Sequence, residues 1–121
     1  MDIRIPGVDM EKVFEQYEDD IDLYATVSRS YISATIVALD KIRAVSAETL
    51  ANYAVWIHSI KGASTSIGAE ETRKAALSLE QKAKAGDLSG VLAENQKFIK
   101  DTEKLIDDIR LWLGQFDAKK G

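Results

Sequence analysis

Beyond Pro6 the chain has no proline, and its apolar residues recur every three or four positions from there on. That spacing is the period of an α-helix, and no stretch alternates as a half-buried strand does. Ala, Leu, Lys and Glu, all good helix formers, are abundant. An all-α fold is therefore expected.

The helix ends are marked locally. A short helix is expected from Asp9, an N-cap residue type, to Tyr17. A long one follows from Asp20 to Arg43, with Tyr24, Val27, Tyr31, Ala34, Ala38 and Ile42 facing inward. Ser46 is the natural N-cap of a third helix, and Glu48 suits its first turn. Its inner face carries Leu50, Tyr53, Ile57, Ile60, Ser64 and Ile67, and it stops at Gly68. Glu70 and Glu71 open a fourth helix, where negative charge favours the dipole, with Thr72, Ala76, Leu79 and Ala83 inward. Gly86 ends it. Asp87 caps a fifth, which runs to about Trp112 through Leu88, Val91, Asn95, Phe98, Thr102, Leu105 and Ile109. Four long stripes joined by short connections predict an antiparallel up-down-up-down four-helix bundle, with the short first helix capping one end. The chain, 1–121, reads as one domain, with 1–8 and 116–121 extended or frayed.

Composition removes several function classes. There is no cysteine, which excludes disulfides and thiol chemistry and fits a reducing compartment. The net charge is −4 and the basic residues are interspersed with acidic ones, so the basic stripe of a nucleic-acid binder is missing. No apolar run is long enough to span a bilayer, and the start lacks the basic and apolar regions of a secretion signal. A cytoplasmic protein whose partner is a protein or a small solute is expected. The initial Met fits a free-standing protein, with a domain excised from a hybrid kinase as the open alternative.

The single histidine, His58, lies in the stretch "WIHSIKGASTSIGA". On a helical wheel it falls roughly 130° from the centre of the inner stripe, so it faces outward. Its neighbours on that face, Ala51, Ala54, Val55, Gly62 and Thr65, are small or short. Gly62 stands one turn later, where a side chain would lean back toward the ring. A mid-helix glycine costs about 1 kcal/mol relative to alanine, so it is expected to leave open space beside the imidazole, with a helix–helix contact or a kink as the alternative. Lys61, at i+3, puts a cation beside the ring. An exposed imidazole is mostly neutral, hence nucleophilic, at pH 7. A neutral nucleophile, a cation and a cleared approach suit transient phosphorylation of a ring nitrogen.

The string His58, Lys61, Gly62, Ala63, Ser64, Ile67, Gly68, Ala69 resembles the signature of histidine-containing phosphotransfer (HPt) domains. "ALSLEQKAKAGD" is similar to that family's next helix and its Gly-ended turn. The resemblance implies a four-helix bundle that accepts a phosphoryl group on His58 from a receiver-domain aspartate, or from a histidine kinase, and passes it to a response regulator. It assigns phosphoryl stabilisation to Lys61, steric access to Gly62, and a hydrogen bond that orients the imidazole to Glu80, with Gln81 as the alternative one residue on. The chain shows no P-loop, no nucleotide-binding glycine loop and no carboxylate cluster for Mg²⁺, so it reads as a carrier, not an enzyme. No cofactor of its own is expected; Mg²⁺ would sit on the partner receiver. Most such domains are monomers. Val55 and Ile36, with Ile32 and Val37, form an expected apolar docking ring around the histidine. A helical adaptor without transfer chemistry is the competing reading. The dimerisation domain of a sensor kinase fits less well, since an acidic residue usually follows the histidine there and Ser59 follows it here. A metal-binding bundle would need inward Glu and His pairs, which the stripes lack.

Overall fold

The computed structural model describes residues 5–120 and is helical throughout, with no strand among those residues. The five helices are α1 (Met10–Gln16), α2 (Ile21–Ile42), α3 (Leu50–Ser66), α4 (Glu70–Lys84) and α5 (Leu88–Lys120). Side-chain caps start three of them. Asp9 accepts from the Lys12 amide, Asp20 from the Leu23 amide and Asp87 from the Gly90 amide. Gly68 (φ +75°) and Gly86 (φ +74°) follow α3 and α4 in the left-handed region that glycine enters without a Cβ penalty.

Three expectations about the helices are corrected. Ser46 does not cap α3. Its amide donates to Thr49 Oγ1 and its carbonyl accepts from the Thr49 amide, so 46–49 form a hydrogen-bonded turn and the helix begins at Leu50. Ala34 is exposed, and Thr35 lies inward with Ser28. The helical period carries the buried line of α2 from Tyr31 through position 35 to Ala38, so phase decides against the more apolar alanine. The third difference is at the ends. α5 continues through 116–119, because Trp112, Leu113 and Phe116 keep its apolar spacing and are buried. Arg29 of α2 pairs there with Asp117. Ile5 is likewise buried rather than extended into water, and its carbonyl accepts from the Val8 amide; residues 1–4 lie outside the described part.

α2 packs on α3, α3 on α4 and α4 on α5, and α5 returns to α2. Leu39, Ile42, Ile57, Ile60, Leu79, Ile99 and Ile109 are fully enclosed between them. Polar side chains in this core bond across helices. Tyr24 donates to the Ile67 carbonyl (2.8 Å), and the Tyr31 and Ser64 hydroxyls meet at 3.1 Å. Asn95 of α5 accepts from Tyr53 of α3 (2.8 Å) and donates to the Ile42 carbonyl at the end of α2 (2.7 Å). One side chain thus satisfies an orphan helix-end carbonyl and links three helices.

α1 docks on the turn between α3 and α4. Asp9 N donates to the Gly68 carbonyl, Tyr17 Oη donates to the Ser66 carbonyl, and Val13 is buried against Gly68. A Cβ at position 68 would stand 2.7 Å from Val13 Cγ2, so this close approach needs a glycine twice over. The first helix therefore anchors the end of α3 where Ser66 lies.

Candidate functional site

The burial of Ile57, Ile60 and Ser64 rotates α3 so that His58 points away from the core, its side chain 64% exposed. Gly62 lies one turn further along, and a Cβ there would meet nothing within 4 Å. The space beside position 62 is open.

Glu80 comes from α4. It follows Leu79 on the edge of that helix's buried face, and its side chain is only 3% exposed. The alternative, Gln81, is exposed. Glu80 Oε2 lies 2.6 Å from His58 Nδ1, and Oε1 accepts from Lys61 Nζ at 2.6 Å. A third group completes the cluster: Lys84 Nζ stands 3.2 Å from Oε2. Sequence reasoning missed Lys84, although its signal was present. It stands four residues after an acid on one helix, the spacing of a Glu–Lys pair.

Burial by itself would raise the Glu80 carboxyl out of its ordinary range. Hydrogen bonds from Lys61, then Lys84 and His58, outweigh that and bring it down to about 2. Glu80 is thus a carboxylate at any physiological pH. An ionised carboxylate only accepts, so Nδ1 must carry the proton in the His58–Glu80 bond. In the neutral ring the lone pair then falls on Nε2. The pair fixes the tautomer of an exposed imidazole and leaves the lone pair on the far nitrogen.

Beside His58 a groove of about 550 Å³ runs between α3 and α4, lined by Ala51, Ala54, Val55, Ala83, Lys84 and Gly86. Val55 is strongly exposed at its edge. Ile36 is not part of it. It lines a separate depression with Leu39, Arg43 and Ile106, between α2 and α5. Val55 and Ile36, both expected to dock a partner, thus line different depressions, Ile36 on the side of α2 turned to α5. Among the described residues no group of three or more His, Cys, Asp or Glu is placed to hold a metal ion. No helix there is long and apolar enough to cross a membrane.

The family model of the Hpt domain matches residues 28–119. Comparisons with curated proteins and with solved structures found no match. The matched span runs from Ser28 in α2 to Lys119 in α5 and contains His58, Lys61, Glu80 and Lys84, and on that match the chain belongs to the Hpt domain family, the phosphocarrier modules of two-component signalling.

Proposed function

We propose that this protein carries a phosphoryl group on His58 Nε2 within a phosphorelay. The group arrives from a receiver-domain aspartyl phosphate or from a histidine kinase and leaves to a response regulator. The observation that carries this reading is the 2.6 Å bond between exposed His58 and the enclosed carboxylate of Glu80. In the step from a receiver, the Nε2 lone pair attacks phosphorus and the bond from phosphorus to the aspartyl oxygen breaks. The donor carboxylate is regenerated, and the ring keeps its proton on Nδ1. The ring becomes positive as it gains phosphorus, and Glu80, already ionised and in place, stabilises that charge without reorganisation. Lys61 keeps Glu80 charged and adds positive potential for the transferred group. Gly62 leaves the in-line approach open.

Mg²⁺ and the remaining charge neutralisation come from the partner receiver. The partner rests on the groove edge at Val55. Small residues lining the groove leave room for an apolar surface, and Ile36 is left out of this contact. The interhelical contacts support an up-down-up-down four-helix arrangement. Tyr24 near the start of α2 meets Ile67 at the end of α3, Asn95 near the start of α5 meets Ile42 at the end of α2, and Arg29 meets Asp117 while Arg43 meets Glu103. Such a module acts as a monomer in the cytoplasm.

The test is phosphoryl transfer from a labelled cognate receiver. Wild-type protein takes up acid-labile, base-stable label, and His58→Gln takes up none. Label of that kind persisting in His58→Gln would refute the assignment.

A further inference from the structure

Two lysines hold Glu80, and they hold it unequally. Lys61 bonds Oε1 at 2.6 Å with a side chain 25% exposed; Lys84 approaches Oε2 at 3.2 Å with a side chain 66% exposed. Lys84 shares Oε2 with His58 Nδ1, so the lysine and the imidazole are neighbours across one oxygen. Lys84 also lines the groove beside the ring.

A phosphoryl group brings up to about two negative charges next to a carboxylate that stays ionised. A cation has to turn toward it. Withdrawing Lys61 would strip an enclosed carboxylate oxygen of its short charge-assisted hydrogen bond, which is costly for a group with little access to water. Lys84 gives up a longer contact, moves through solvent, and leaves both short bonds to Glu80 intact. We propose that Lys84 is the direct partner of the phosphoryl group on His58: it swings from Glu80 Oε2 onto the phosphoryl oxygens. Lys61 stays on Oε1 and is a positioning residue that acts through Glu80. The assignment rests on His58 being the acceptor.

Phosphoramidate tests it without a receiver. The Nε2 lone pair attacks phosphorus, the bond from phosphorus to the amino nitrogen breaks, ammonia departs, and the proton on Nδ1 stays in its bond to Glu80. Phosphorus NMR then reads two quantities on the full chain: the rate of phosphohistidine formation and the midpoint at which the bound phosphoryl group titrates. In Lys84→Gln formation slows about tenfold, the effect of losing one charge-assisted hydrogen bond to the transferred group. The phosphoryl midpoint rises by about one unit as its cation is lost. Lys84→Arg restores both. Lys61→Gln moves the midpoint less than Lys84→Gln does; should that variant fail to fold, the two Lys84 variants decide. The assignment is wrong if Lys84→Gln leaves both readouts at wild-type values, or if Lys61→Gln moves the midpoint more. If wild-type His58 takes up no phosphoryl group at all, the acceptor reading falls, and this assignment with it.

Discussion

Glu80→Gln separates the charge of the site from its shape. The amide keeps the volume and an acceptor oxygen but removes the negative charge that the two lysines and His58 surround. The folded protein holds this carboxyl at about 2 against an ordinary 4.5. At 1.36 kcal/mol per unit, the ionised form is favoured over the neutral one by about 3 kcal/mol. Lys84 and His58 are largely exposed, so screening brings the expected loss in Glu80→Gln at pH 7 to about 2 kcal/mol. For a chain of this length that is about 8 °C in Tm. The pH dependence has a fixed sign. The folded value lies below the unfolded one, so the contribution is complete above pH 4.5 and disappears as the pH falls through about 2. More than half of the difference between the two proteins is gone by about pH 3. Urea unfolding of both proteins at pH 7, 5, 4 and 3 measures it. A difference below about 0.5 kcal/mol at pH 7, the size of an ordinary surface change, would refute the reasoning, as would an equal difference at pH 7 and pH 3.

The other predictions concern the glycines and the core amide. Gly62→Ala raises stability by about 0.5–1 kcal/mol, since the added Cβ meets nothing and the site is mid-helix. Gly62→Phe also folds, by circular dichroism, yet slows phosphoryl transfer from a receiver about tenfold or more by displacing the approaching group. Gly68→Ala loses about 2 kcal/mol or more in urea unfolding, because φ is +75° and the new Cβ would stand 2.7 Å from Val13 Cγ2. Hydrogen exchange in α1 should accelerate in the same variant. Asn95→Ala costs about 3 kcal/mol, because the Ile42 carbonyl and the Tyr53 hydroxyl both lose their partner in the core.

The sequence by itself determined the helices and the direction of the histidine. Both are local properties. Asp9, Asp20 and Asp87 satisfy amides three residues away, Gly68 and Gly86 allow one backbone conformation, and the phase of Ile57, Ile60 and Ser64 turns His58 outward whatever lies opposite. Where local information competed, it misled. Ala34 was expected inside on its spacing, yet the phase of α2 buries Thr35. The last turns of α5 read as a tail although Trp112, Leu113 and Phe116 continue its apolar spacing and are buried. Only the tertiary structure decided what surrounds the histidine. The periodicity of α4 shows which residues face inward, but not how far α4 slides along α3 or how it is turned against it. That offset is set by the tight turn at Gly68, clamped by Val13 and Tyr17, and by the packing of small residues such as Ala76 and Ala83. It selects Glu80 over Gln81 as the partner of His58 and Lys61 and encloses the carboxylate. A helix pattern carries angle about its own axis; the contact between two helices also needs their relative register, and that exists only once they pack.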